Sequence, residues 1–141
     1  MVDFRAKTLE LRRNRLRVLR GDLRVIIAGS RDIPDPYQRV TQAMAGWEMA
    51  FHQRAIEVVS GTARGVDKAG ERWAEERGIP VKRMPANWDE EGPGAGYNRN
   101  RRMALYADAL VAVWDGKSKG TGNMIEIMMG MGKLTYVYTL S

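Results

Sequence analysis

Alternation constrains this chain more than any other feature. Short apolar, β-branched runs stopped by glycine or polar residues take turns with segments whose apolar side chains recur every three or four positions. Residues 23–29 (LRVIIAG), 56–61, 108–114 (DALVAVW) and 134–140 read as strands, with 80–84 as a weaker one. Between the first two, Val40, Ala43, Met44, Trp47 and Phe51 mark one face of a helix. Val66, Ala69, Trp73 and Ala74 mark a second helix, closed by Gly78. A third helix is expected over 97–106 and a fourth carries Met124, Ile125, Ile127, Met128, Met129 and Met131. Strands apolar on both faces and separated by helices require a parallel sheet covered on both sides. Right-handed crossovers then give an α/β fold, a Rossmann-like three-layer sandwich of about five strands in the order 3-2-1-4-5. Residues 86–96 (ANWDEEGPGAG) have no period and read as a loop of functional length.

Size and composition narrow the function classes. A chain of 141 residues with 44% hydrophobic and 28% charged residues is expected to form one soluble domain. It holds no apolar run long enough to span a bilayer, and MVDFRAKTLELRR lacks the apolar stretch of a secretory signal, so a cytoplasmic protein without a membrane partner is expected. With no cysteine and His52 as the one imidazole, neither a metal site nor a Ser-His-Asp triad is expected, and no cofactor is implied. The net charge of +6 is uneven: residues 1–23 carry seven basic and three acidic side chains. A basic arm over 1–22, preceding a domain over 23–141, is either a solvated extension or a surface for nucleic acid or another polyanion. Leu16, Leu19 and Leu23 suit a helix there, whereas LRVL-RGD-LRVI suits a hairpin.

In an open parallel sheet, ligands sit at the carboxyl ends of the strands, where strand order reverses. Three glycine-rich loops are expected to meet at that edge. They are Gly29-Ser30-Arg31, then Gly61 to Asp67 with Arg64 and Gly65, then Asp115 to Asn123. Each opens toward a helix, and helix N-termini with free N–H groups favour anions. Arg31, Arg64, Lys117 and Lys119 add charge. Trp88 and Trp114 are candidates for stacking on a base, and Asp115 for ribose hydroxyls. Two phosphate motifs are absent. Gly116-Lys117-Ser118 ends like a P-loop, but Val111 stands where its leading glycine belongs. The first strand runs into Ala28-Gly29-Ser30-Arg31 rather than a GxGxxG turn.

The run GSR, GTARGVD, GYNRNRRM and WDGKSKGTGNMIE, spread over 24–138, resembles the SLOG superfamily, and within it the YspA/YpsA-related branch. That superfamily groups the Rossmann-like domains of DprA/Smf and of the Lonely Guy phosphoribohydrolases. The Lonely Guy hallmark PGGxGTxxE falls on residues 118–126, where Gly120, Gly122 and Glu126 match and Ser118, Lys119 and Asn123 depart. The resemblance implies a phosphate cradle at Gly120, Thr121, Gly122 and Asn123, with Arg99 and Glu126 as a catalytic pair if the chain is an enzyme.

The leading expectation is binding of a nucleotide or nucleotide derivative, as a sensor. The alternative is a nucleotide N-glycosidase of Lonely Guy type, in which a carboxylate stabilises charge on the ribose. The second alternative is single-stranded nucleic-acid binding of DprA type. A methionine-rich helix apolar all round, with Gly130 and Gly132 beyond it, points to a homodimer or higher homo-oligomer.

Overall fold

The computed structural model describes residues 4–140. Five strands form one parallel sheet: β1 (Asp22–Gly29), β2 (Arg54–Ser60), β3 (Val81–Arg83), β4 (Ala109–Trp114) and β5 (Leu134–Thr139), in the order β3-β2-β1-β4-β5. This is the order expected from the alternation. The helices are α1 (Phe4–Leu19), α2 (Pro36–Phe51), α3 (Val66–Glu76), α4 (Trp88–Glu91), α5 (Ala95–Tyr106) and α6 (Lys119–Gly130). Among the described residues no helix is long and apolar enough to cross a membrane.

Successive side chains of a strand point to opposite faces, so one apolar run serves two cores. Val25, Ile27, Val58, Val111 and Val113 face α2 and α3 and meet Val40, Met44, Trp47 and Trp73. Ile26, Val59, Leu110 and Ala112 face α5 and α6 and meet Met103, Met124 and Met128. β4 is buried along all but its last residue, as a central strand covered on both sides must be. β5 closes one edge and is only half-buried.

Two segments left open or read as loop acquire structure. Residues 86–96 contain α4, whose N-terminus is capped by the Asn87 side chain accepting from the Glu90 N–H, and a 3-10 turn over Gly92–Gly94 that leads into α5. The arm forms α1 rather than a hairpin strand. β1 already pairs with β2 on one side and β4 on the other, so no edge is free beside it. Gly21, at φ +77°, turns the chain from helix to strand. Arg17 ties α1 to the sheet: it donates to the Asp108 carboxylate at 2.5 Å and to the Asp22 carbonyl at 2.9 Å. The same carboxylate accepts the Arg24 N–H at 2.8 Å.

Trp47 is the largest fully buried side chain, filling the layer between α2 and the sheet. Trp47→Ala should lower unfolding free energy by about 3–5 kcal/mol through lost burial and the cavity left behind, measured by urea denaturation.

Candidate functional site

The edge where the strand order reverses lies between β1 and β4. Ser30, fully buried just past β1, stitches the loops there. Its N–H donates to the Val113 carbonyl, its carbonyl accepts the Val66 N–H at 3.3 Å, and its hydroxyl accepts the Asp115 N–H at 3.1 Å. The loop after β2 packs equally closely. Gly65, at φ +77°, passes so near the loop after β1 that a Cβ on it would lie 2.4 Å from the Arg31 carbonyl oxygen. Thr62 in the same loop is held at φ +68°, a conformation costly for a non-glycine residue, and its N–H donates to the Ser60 hydroxyl.

These loops and helices α5 and α6 surround a small cavity of about 60 Å³, lined by Gly29, Arg31, Gly61, Asp67, Arg99, Asn100, Gly120 and Thr121. Met103 and Met124 also line it. A second cavity of about 230 Å³ adjoins it, sharing Arg31, Arg99, Asn100 and Gly120 and adding Trp88, Pro93 and Tyr97. Residues nearly seventy positions apart in sequence, Arg31 and Arg99, thus line both spaces.

Arg99 is fixed from two sides. Nη1 donates to the Gly61 carbonyl and Nε to the Asn100 side-chain oxygen at 3.0 Å. A Cβ on Gly61 would lie 2.7 Å from that same Nη1, so only glycine leaves the guanidinium its place. Asn100, buried, passes the constraint on: its amide donates to the Gly120 carbonyl and to the Asn123 side-chain oxygen, both at 3.1 Å. Burial pulls the Arg99 guanidinium below its ordinary value and the charge on Arg31 adds to that, while Asp67 opposes both. Arg31 makes no side-chain hydrogen bond or ion pair among the described residues and stays exposed at the rim.

Asp67 is the acid of the cavity. Its Oδ2 accepts the Ala63 N–H at 3.1 Å. Burial pushes its carboxyl up to about 6, against that bond, a second from the Gly29 N–H and the charges of Arg99 and Arg31.

The first turn of α6 completes the wall. Asp115 folds back on the loop, accepting the Lys117 and Ser118 N–H groups at 2.8 and 2.9 Å, which holds its own carboxyl below the usual range. The Gly122 N–H donates to the Ser118 carbonyl. Because the helix starts at Lys119, the amides without an intrahelical acceptor are those of Lys119, Gly120 and Thr121, earlier than the Gly120-to-Asn123 cradle implied by the motif. Ser118 makes no side-chain cap to them. A Cβ on Gly120 would meet nothing within 4 Å, so the helix start is open.

Of the expected site residues, Gly29, Arg31, Gly61, Asp67, Arg99, Gly120 and Thr121 come together. The others lie elsewhere. Arg64 turns outward into a two-bond pair with Asp32 at 2.9 and 3.0 Å. Trp114 donates its indole N–H to the Ser118 carbonyl and packs beneath Gly122. Ser30, Gly65 and Asp115 hold the loops in place. Lys119 is exposed at the helix start. Asn123 bonds Asn100 and, with Glu126, faces a separate groove between α5 and α6 that also contains Tyr97 and Arg101. Glu126 is exposed there, so it and Arg99 do not meet in one cavity. Asn100 escaped the sequence reading. It sits three residues before buried Met103, and an amide on that apolar stripe of α5 was its signal.

The Asp67 shift has a stability consequence. The folded chain favours the neutral acid, so ionisation of Asp67 withdraws stability as pH rises from the ordinary 3.8 toward 6, and the full cost stands above that. The difference corresponds to about 3 kcal/mol. Asp67→Asn should therefore gain on the wild type between pH 4 and pH 7, followed by denaturant unfolding across that range.

Residues 23–90 match the family model described as YAcAr: YspA, cpYpsA-related SLOG family. DNA processing protein A (DprA) from Streptococcus pneumoniae has a similar structure, with a TM-score of 0.65 and 21% identity over 89% of this chain and 53% of that one. DNA processing protein A from Helicobacter pylori, described for its single-stranded DNA binding mode, superposes with a TM-score of 0.58 and 21% identity over 86% of this chain and 67% of that one. The chain thus spans about half the length of the first of these proteins. No curated protein matches it. The strand order and flanking helices agree with this likeness in fold, and the match to the YspA, cpYpsA-related SLOG family model runs from β1 through most of α4.

Proposed function

We propose that the paired cavities bind a phosphorylated small molecule, a nucleotide or nucleotide derivative, without turning it over. One observation carries this reading: Arg31, Arg99 and the open first turn of α6 converge on a single space. Two guanidinium groups and a helix N-terminus face one acid, Asp67, so the space favours an anion. The inner cavity, at about 60 Å³, is the smaller of the two and is the one lined by Asp67, both guanidinium groups and the start of α6. The outer one is larger and offers Trp88 and Tyr97 to a flat ring.

Binding is favoured over glycosidic hydrolysis by the position of the carboxylates. The Lonely Guy alternative needs a carboxylate at the sugar. Glu126 opens on the other groove, and the Asp67 carboxylate is taken up by the Ala63 N–H. Binding without turnover is the behaviour of a ligand sensor, the role this reading assigns. The single-stranded DNA binding mode described for the Helicobacter pylori protein belongs to that protein; here the narrow inner cavity suits a terminal phosphate better than a continuous strand.

The reading predicts a specific pattern in calorimetric titrations with a panel of nucleoside monophosphates. Arg31→Ala, which breaks no internal bond, should weaken binding by about 1.5–3 kcal/mol, the range for a charged hydrogen bond. Gly120→Val should block binding by filling the open helix start while the fold persists. Glu126→Gln should leave affinity unchanged. Unaltered affinity in both of the first two variants would refute the site.

Self-association belongs to the same proposal. Met129 and Met131 are exposed at the end of α6, and Gly130 leaves room for close approach. A sedimentation mass above one chain at micromolar concentration is the expected result.

A further inference from the structure

A second anion surface lies far from the cavity, on α1. Arg17 fastens this helix to Asp22 and Asp108, the residues at the starts of β1 and β4, so it sits at the amino edge of the sheet while the cavity opens at the carboxyl edge. Asn14 and Arg17 are half-buried and mark the docked side. At 100° per residue, Glu10, the one acid of α1, projects on that docked side too. The opposite face carries Arg5, Arg12 and Arg15 with Leu9, Leu16 and Leu19 among them, all exposed, and Arg20 at its flank. Among the described residues no acid of α1 lies on it. From Arg5 to Arg20 it extends about 22 Å.

We infer that this outer face of α1 binds a single-stranded nucleic acid, the arginines meeting successive phosphates and the leucines lying against the bases between them. Charge complementarity names a polyanion, and the pattern within the face selects which. A second copy of the chain is disfavoured, because two such faces would oppose arginine to arginine. A lipid surface requires apolar and basic residues on separate sides of the helix, whereas here they share one side. A duplex hides its base faces within the stack; a single strand leaves them open to apolar side chains. The surface is independent of the cavity, so a small ligand and a strand can be held together.

The test uses the full chain and an oligo-dT strand, followed by fluorescence anisotropy at several salt concentrations. The triple variant Arg12→Gln, Arg15→Gln, Arg20→Gln keeps the Arg17 anchor. It should retain the wild-type circular dichroism spectrum and lose at least tenfold in affinity for the strand at low salt. The slope of log K against log salt should fall by about 2, at about 0.7 for each phosphate contact on a single strand. Binding of inorganic phosphate at the cavity should be unchanged in this variant. Equal strand affinity in the variant overturns the inference. So does tighter wild-type binding to duplex DNA or to vesicles containing phosphatidylserine. Loss of strand binding in Arg31→Ala with none in the triple variant also overturns it, by routing the strand through the cavity. Failure of inorganic phosphate to bind the wild type would count against the cavity reading alone.

Discussion

The parallel pairing of β1 with β4, which sets Gly29 beside Val113, determines the site. From this pair the chain runs in opposite directions, toward β2 on one side and β5 on the other, so the loops beyond it diverge and leave a crevice. Ser30 spans that crevice with its N–H, carbonyl and hydroxyl, each bonded to a different segment. Everything at the cavity is positioned relative to those bonds: the glycine-bent loop after β2, the start of α3 with Asp67, and the loop leading to α6.

The electrostatics follow from how tightly these pieces pack. Arg99 is held against the Gly61 carbonyl and Asn100, so its charge is spent on geometry as much as on a ligand. Arg31, exposed and unbonded, adapts instead. Asp67 is buried in the same cavity, where its charge opposes the lowering of Arg99, yet it is too desolvated to ionise at its ordinary value. A fixed cation, an exposed cation and one buried acid make a space whose net charge changes as pH passes about 6.

The two edges of the sheet carry different kinds of positive charge. At the carboxyl edge it is enclosed and directed into a small volume. At the amino edge it is spread along a helix that half-buried Arg17 ties to Asp108. The buried sheet lies between them.

The fold was legible in the residues because a parallel sheet writes a plain signal: LRVIIAG and DALVAVW are apolar at every position, and helical spacing lies between them. The convergence of the GSR, GTARGVD and GKSKGTG loops followed from strand order alone. Side-chain direction was not legible. Glu126 and Arg99 each occupy positions a motif could pair, yet the helical phase of α6, set by burial of Met124, Ile125 and Met128, turns Glu126 to solvent. Arg64 found a partner in Asp32, thirty-two residues away, and Trp114 was drawn under α6. Asn100 became the link between α5 and α6 only once the two helices packed. Sequence determined which backbone loops would meet, because hydrophobic periodicity specifies the sheet. Only the tertiary structure decided which side chains face the space between them, because that depends on which neighbours each one bonds.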